Sequence, residues 1–485
     1  MRPGYALPQV FLLGALGLLL TGCTVGPDFV PPVPPKADRY TETARITAST
    51  AAPAQHLVTA STIPAAWWQL FHSSGLDALI HDALARNPDL QAAQAALRIA
   101  KENRLVGQGA YYPAVGVDFS PSRQRQSNVA TSNLNSGAYI YNLFTAGVNV
   151  SFTPDVFGGT RRAVEGLLAE EHQQRFQLEA TQLTLVANLA AAAIQEASLR
   201  EQLGAAEDLV KTAQEIQTIL SRQRTLGENS GADFVAQEAL TAQFEQSLAT
   251  VRKQLAEQRD LIAALSGRLP AEQAAPTFRF SDLQLPQALP VTVPSQLVAQ
   301  RPDIRAAQEQ WHAASAAIGV AKANRLPQLT LTAGMGGMSD KLGQLITPGN
   351  VFWNLAAGLA QPVLQGGTLL HRTRAAEAAY EQAGAQYRST VIMAFQNVAD
   401  TLEALEADAK AWQFAVAGER AAAKSLAITR EGLRLGDIAY PQVLAAQQTW
   451  QQARIGLAQA TAAQYADAIA LFQALGGGWW SAASP

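Results

Sequence analysis

Two stretches free of proline, Asp155–Leu269 and Val363–Tyr440, constrain this chain more than any other feature. Proline removes a backbone donor and clashes with the preceding helical turn. Ala, Leu, Gln and Glu, all good helix formers, fill most of both stretches. Each has one interruption: Leu226-Gly227-Glu228-Asn229-Ser230-Gly231 in the first, Leu435-Gly436-Asp437-Ile438-Ala439-Tyr440-Pro441 in the second. Gly, Asn and Asp supply the left-handed conformations that end helices. The pattern predicts, in each half, a very long helix, a tight reversal and a shorter returning helix. A first helix from about Gly159 to Leu226 would be roughly 100 Å long, and its returning arm, Ala232 to Ser266, about half that. A further element must cover the remainder.

The first long helix carries a seam in alternating steps of four and three: Leu185, Leu189, Ala192, Glu196, Leu199, Leu203, Ala206, Val210, Ala213, Gln217 and Leu220. A sustained period of about 3.5 residues implies a left-handed supercoil against neighbouring helices. The alanines allow helix axes to approach closely. The seam alone fits a solid rod as well as the wall of a tube.

The chain is also a duplication. Pro88–Val117 aligns with Pro302–Leu331 without a gap, matching Pro88/Pro302, Asp89/Asp303, Ala92/Ala306, Ala93/Ala307, Gln94/Gln308, Ala100/Ala314, Val106/Val320 and Pro113/Pro327. Further on, Phe157-Gly158-Gly159-Thr160 echoes Gln365-Gly366-Gly367-Thr368. The repeated unit is large, unlike that of a short solenoid. Each unit opens with a short helix. Asn87 is the expected N-cap of the first, with Pro88 in its first turn. The short helix and the returning arm, stacked end to end, would together cover the long helix.

Each unit places two strand-like segments between its short and long helices, at about 114–125 and 138–153, and at about 328–338 and 351–361. Val115, Val117 and Phe119 alternate with Gly116, Asp118 and Ser120; the other three segments alternate in the same way. A polar loop, Ser127–Gly137, joins the first two. One apolar and one small or polar face over about ten residues is the pattern of an outer-membrane barrel strand, and equally of a half-buried strand in an ordinary sheet. Four strands cannot close a barrel, and an open edge in lipid leaves backbone groups unsatisfied. If these strands span a membrane, several copies share one barrel. Bacterial barrels begin at about eight strands, so a dimer reaches the minimum and a trimer supplies twelve.

Composition narrows the chemistry. Lys plus Arg is 36 and Asp plus Glu is 39, a near-neutral balance that does not point to nucleic acid. A single cysteine excludes an internal disulfide framework and a cysteine-based zinc cluster. His56, His72, His81, His172, His312 and His371 are scattered, Met335 and Met338 fall on opposite faces of a strand, and Gly476-Gly477-Gly478 follows a helix and is no phosphate loop. No catalytic constellation, metal site or cofactor is expected.

The N-terminus reads as an export signal over residues 1–22. Arg2 precedes the apolar core Val10–Leu20, which is too short to span a membrane. Leu20-Thr21-Gly22-Cys23 resembles a bacterial lipoprotein lipobox. Lipidated Cys23 would become the mature N-terminus, carrying the more than one acyl chain that stable anchoring needs. Thr24 follows the cysteine, not the aspartate that resembles an inner-membrane retention signal, which favours the outer membrane. Residues 23–64 read as a Pro-rich, lipid-anchored tether, 65–270 as the first repeat, 271–300 as a linker, 301–476 as the second repeat and 477–485 as a tail.

Gly26-Pro27-Asp28-Phe29, Trp67-Trp68 with Phe71, Asn87-Pro88-Asp89-Leu90, Arg301-Pro302-Asp303-Ile304 and Ala474-Leu475-Gly476-Gly477-Gly478-Trp479, in this order and spacing, resemble the outer-membrane efflux lipoproteins of the NodT type, relatives of TolC and OprM. The resemblance covers nearly the whole chain from Cys23. It implies an α+β membrane protein: a homotrimer with four transmembrane β-strands per chain, a 12-stranded outer-membrane barrel and a long α-helical coiled-coil barrel crossing the periplasm. It implies a passive channel, not an enzyme, that exports small molecules with a periplasmic adaptor protein and an inner-membrane pump. On this reading Tyr139, Tyr141, Asn149 and Ser151 line the lumen, the even-numbered face meets lipid, and Trp353 lies near a membrane interface. The helix reversals form the periplasmic tip, where Asp437, Glu228 and Asp233 are candidates for an acidic ring. Relatives often carry an aspartate within the segment that here reads Val443-Leu444-Ala445-Ala446-Gln447; this chain has Ala445. Two other readings stay open: a protein-secretion conduit of the same fold, and a lipid-anchored spacer with a helical rod and a small sheet.

Overall fold

The computed structural model describes residues 24–35, 39–40, 55–59, 63–125, 140–227, 230–272, 276–292 and 294–481. The signal stretch, Cys23, about half of the tether, the Ser127–Gly137 loop, Tyr139 and Glu228 lie outside the described residues. In chain order the main elements are β1 His56–Thr59, α1 Ser74–Arg86, α2 Pro88–Gln108, β2 Ala114–Arg125, β3 Ile140–Phe152, α3 Gly159–Thr225, α4 Gly231–Leu265, β4 Ala288–Val291, α5 Pro294–Gln300, α6 Pro302–Ala323, β5 Gln328–Ser339, β6 Val351–Ala360, α7 Thr368–Leu435 and α8 Tyr440–Ala474. The two long helices have 67 and 68 residues and the two returning helices 35 each, so the duplication extends to element length. Among the described residues, no helix is long and apolar enough to cross a membrane.

The chain forms two compact units. The first comprises Met1–Pro32, Leu97–Gln174 and Ala307–Tyr387; the second comprises Val33–Ala96, Arg175–Ala306 and Arg388–Pro485. In the first unit β2-β3-β5-β6, in that order, make one antiparallel sheet. The helices of this unit follow the same order. Arg104 of α2 pairs with Glu171 of α3, His312 of α6 with Glu165 of α3, and Lys322 of α6 with Glu377 of α7. Close contacts need small residues here: a Cβ on Gly159 would lie 3.0 Å from the Ala323 methyl. The segment after Cys23 also belongs to this unit. Val25 N–H donates to the Phe157 carbonyl at 3.1 Å, and the Phe29 ring stacks on His312 at 4.6 Å.

In the second unit the helices run in the order α4-α3-α8-α7. Gln258 of α4 donates to the Ala192 carbonyl of α3, the Ser198 hydroxyl of α3 donates to the Ala458 carbonyl of α8, and the Trp412 indole of α7 donates to Thr461 of α8. The expected seam is the buried face of α3: Leu189, Ala213 and Glu196 are at most 1% exposed. Glu196, a charge in that seam, is held by Arg200 of the next turn at 2.5 Å, which fits the rule that buried charges are paired. The helix ends meet as the duplication requires. Asn87 caps α2 by accepting from the Asp89 and Leu90 amides, and its own amide donates to the Leu265 carbonyl at the end of α4. In the second repeat Arg301 donates to the Ala474 carbonyl at the end of α8.

The tether and the linker differ from the sequence reading. β1, within the supposed tether, pairs in parallel with β4, within the supposed linker. Ile63, near the end of the supposed tether, and Trp67, just after it, are core residues, with Trp67 stacked on Phe472 at 5.1 Å. Strands of four residues, one of them containing Pro290, are too short to show alternation, so only pairing reveals them.

Candidate functional site

The register gives the sheet two chemically distinct faces. Val117, Val148, Met335 and Trp353 form one cross-strand row, and Val115, Val150, Ala333 and Leu355 the next. These side chains lie outside the core: Val117 is 82% exposed, Trp353 78% and Leu355 75%. A contiguous apolar face of this kind marks an interaction surface or a membrane surface. On the opposite face the matching row is Gly116, Asn149, Gly334 and Asn354. Each asparagine lies across a glycine, because a Cβ on Gly116 would sit 2.5 Å from Asn149 Oδ1 and one on Gly334 2.5 Å from Asn354 Oδ1. Ser151 faces Ala114 and Thr332 in the next row, and Tyr141 faces Gln124, whose amide donates to the Tyr141 hydroxyl at 2.8 Å. Tyr141, Asn149 and Ser151 therefore share the polar face. Asn354 completes it and is a residue that the sequence reading missed; its signal is the alternation of Asn354, Ala356 and Gly358 with Trp353, Leu355 and Leu359 in β6. Among the described residues, β2 and β6 each pair along one side only.

The hairpin tips are set by backbone chemistry. Gly436 has φ +84°, its N–H donates to Leu433 and that of Asp437 donates to Gly432, which satisfies the last carbonyls of α7. The Asp437 side chain is left exposed. Asp233 has a different role. Its amide donates to the Ser230 hydroxyl, which in turn donates to the Asp233 carboxylate at 2.7 Å, so Asp233 belongs to the N-cap of α4. Below the second tip, Arg430 of α7 donates to buried Gln447 of α8 at 2.8 Å.

Elsewhere the polar groups are structural. His312 lies between Glu309 and Glu165, whose hydrogen bonds raise its pKa above the ordinary value, Glu309 more strongly. A cleft of about 710 Å³ in the second unit is lined by Gln195, Gln202, Gln254 and Gln459 with no nucleophile beyond Ser198. Among the described residues, no group of three or more His, Cys, Asp or Glu could hold a metal ion.

Residues 79–268 and 293–477 match the outer membrane efflux protein family. The pyoverdine export outer membrane protein OpmQ of Pseudomonas putida is 31% identical over 424 residues, covering 85% of this chain and 88% of that protein. The cation efflux system protein CusC of Escherichia coli is 26% identical over 483 residues, covering 97% and 99%. The crystal structure of the CmeC outer membrane channel of Campylobacter jejuni superposes with a TM-score of 0.85 at 20% identity, over 94% of this chain and 95% of that one. The chain belongs to the outer membrane efflux protein family. It is a subunit of an outer-membrane efflux channel, a reading favoured over the secretion conduit and the spacer.

Proposed function

We propose that three copies of this chain close a 12-stranded barrel, β6 of each pairing with β2 of the next. The observation that carries this is the four-stranded sheet with one free strand at each side and one continuous apolar face. Edges of this kind are tolerated in lipid only if they pair, and three copies give an even-stranded barrel above the minimum of about eight. The apolar rows then meet lipid, and Tyr139, Tyr141, Asn149 and Ser151 line a water-filled lumen together with Asn354. Acyl chains on Cys23 anchor the N-terminus in the outer membrane. The helical hairpins form a periplasmic tunnel whose tips carry Asp437, Glu228 and Asp233 and meet a periplasmic adaptor and an inner-membrane pump.

The channel is a passive conduit for small molecules. Relatives carry names as different as pyoverdine export, toluene efflux and cation efflux on the same architecture, which supports selection of cargo by the pump. Planar-bilayer conductance of the purified protein, with its mass taken in the same detergent, tests the reading. Stable single-channel steps from a trimer are expected; a non-conducting monomer overturns it.

A further inference from the structure

The strands and their joining loops carry very few charges. Between Asp118 and Asp155 the chain has two charged residues, Arg123 and Arg125, and between Arg325 and His371 it has two, Asp340 and Lys341. Arg123, Arg125 and Lys341 are exposed. All three lie at one end of the sheet, since β2, β3, β5 and β6 join the long and short helices at the other. The pairing of β2 with β3 is unbroken from Ala114↔Ser151 to Arg125↔Ile140, so parity decides the face. Gln124 shares the polar face with Tyr141, to which it donates, and Arg123 and Arg125 share the apolar face with Val117 and Phe119. On β3 that face is apolar from Phe152 to Phe144, with the Val148 row in the middle. Eight residues of tilted strand give a band about 20 Å tall, close to the roughly 25 Å of an outer-membrane barrel. Arg123 pairs with Asn142, the next position on this face beyond Phe144, and Arg125 lies two residues further. Lys341 stands two residues beyond Ser339, the partner of Phe144, with extended backbone at φ −127° and ψ 129°. The three cations therefore begin where the apolar band ends.

We infer that Arg123, Arg125 and Lys341 bind the phosphates of lipid in the outer leaflet and so fix the height of the barrel rim in the membrane. The inference rests on the barrel reading, in which the apolar face meets lipid and the helices lie on the periplasmic side. Basic side chains at the edge of an apolar surface attract anionic headgroups, and a guanidinium takes a phosphate through two parallel hydrogen bonds. The segment that joins β2 to β3 holds no acid, so Asp340 is the one carboxylate that these loops supply against the three cations. The loop after β5 favours lipid over a free anion. Gly337 lies on the lipid-facing side, in the row of Phe119, Ala146 and Val351, and a Cβ there would collide with the Leu345 carbonyl. The loop is thus folded onto the same face as the cations. Close in sequence to Lys341 it exposes two large apolar side chains, Leu342 at 56% and Ile346 at 86%. Phosphate alone gives such side chains nothing to contact, whereas a lipid offers acyl chains directly beneath its phosphates.

Native mass spectrometry of the full chain purified in detergent and titrated with diphosphoryl lipid A tests the site. The parent trimer is expected to retain this lipid, to hold monophosphoryl lipid A several-fold more weakly, and not to lose it to an equal concentration of inorganic phosphate. Each cation removed is expected to weaken retention about fivefold, so Lys341→Gln loses about fivefold and Arg123→Gln with Arg125→Gln more than tenfold. Single-channel conductance of these variants is expected to match the parent, because none of the three side chains faces the lumen. If the double variant does not assemble, Arg125→Gln and Lys341→Gln singly carry the same comparison. Equal retention of the two lipids by the parent, or equal retention by parent and variants, assigns binding to the acyl chains and overturns the site. Displacement by inorganic phosphate makes it a free-anion site and overturns the lipid assignment. Either result in a trimer leaves the barrel standing, whereas a monomer overturns the barrel reading and the site with it.

Discussion

The Arg162 guanidinium holds the Asp28 carboxylate at 2.6 Å and so fixes the segment after Cys23 against α3. The same guanidinium donates to the Val25 carbonyl at 3.4 Å and to Glu165 at 2.8 Å, with its side chain only 6% exposed. Gly26, at φ +104°, lets the segment press onto Gly319 of α6, where an added Cβ would lie 2.6 Å from Arg162 Cγ. Arg162→Ala removes the shared donor and leaves Glu165 without it, a loss of about 1–3 kcal/mol. Amide exchange over residues 25–29 is expected to accelerate tenfold or more. Asp28→Ala is expected to do less, because its side chain is 90% exposed and screened by water. Unchanged exchange in Arg162→Ala would sink the clamp.

His312 makes the same junction pH-dependent. Glu309 and Glu165 face it from α6 and α3, Arg162 and Asp28 lie beyond Glu165, and His172 approaches Glu309 at 3.8 Å. The hydrogen bonds that the ring donates to the two carboxylates, Glu309 first, raise the imidazole pKa above 6.5, its value in the unfolded chain. The protonated ring therefore contributes stability that is full below pH 6.5 and is lost as pH rises through the raised value. Exchange protection of residues 25–29, under a Phe29 ring stacked on the imidazole, is expected to fall across that window. His312→Gln is expected to flatten the profile; an equally steep profile in that variant would assign the pH dependence to another group.

Neighbours on one strand test the two faces of the sheet. Trp353 lies on the apolar face and Asn354 on the polar one. An arginine on a lipid face costs about 2–4 kcal/mol at the bilayer midplane and less near the interfaces. Trp353→Arg is expected to lower the amount of protein assembled in the membrane. Asn354→Arg is expected to assemble normally and to reduce cation conductance. If Asn354→Arg blocked assembly and Trp353→Arg did not, the faces would be exchanged.

The sequence made the long elements legible because each repeats its period several times: α3 shows its seam over several heptads, β2 alternates from Val115 to Ser120 and β3 from Phe144 to Phe152. The repeat also announced the stacked helix ends at Asn87 and Arg301. Pairing between distant segments was not legible. Nothing in His56–Thr59 names Ala288–Val291 as its partner, since four residues carry no usable period. Nor does Gly26 signal Gly319, because the contact depends on the N-terminal segment meeting the backbone of α6. The polar face was only half visible: Asn149 stood out within β3, whereas the row through Gly116, Gly334 and Asn354 required the register.

A half-buried acid makes the second unit sensitive to pH in a lower range. Asp467 of α8 is pushed up to about 7, first by burial and then by the nearby Asp408 charge. In the unfolded chain its value is 3.8. Between about pH 4 and 7 the folded protein holds a proton that the unfolded one has released, so stability falls as pH rises through this window and levels off above it. Asp467→Asn is expected to melt higher than the parent protein at pH 8, with the difference closing toward pH 5. A difference that did not change with pH would mean that the side chain acts through packing alone.

The two acids at the tips are not equivalent, which decides where an acidic ring is to be sought. The Asp233 carboxylate accepts from Ser230 in the cap of α4, and Ser230→Ala is expected to cost about 1 kcal/mol of helix stability. Asp437 uses only its backbone N–H to close α7, leaving its carboxylate exposed. Three-fold symmetry would gather three such carboxylates around one axis, and a ring of this kind favours cations. In planar bilayers Asp437→Asn is expected to weaken cation preference and Asp437→Lys to reverse it, while Asp233→Asn leaves selectivity unchanged. Selectivity that is the same in all three variants would remove Asp437 from the ion path and leave both acids as helix-terminus residues.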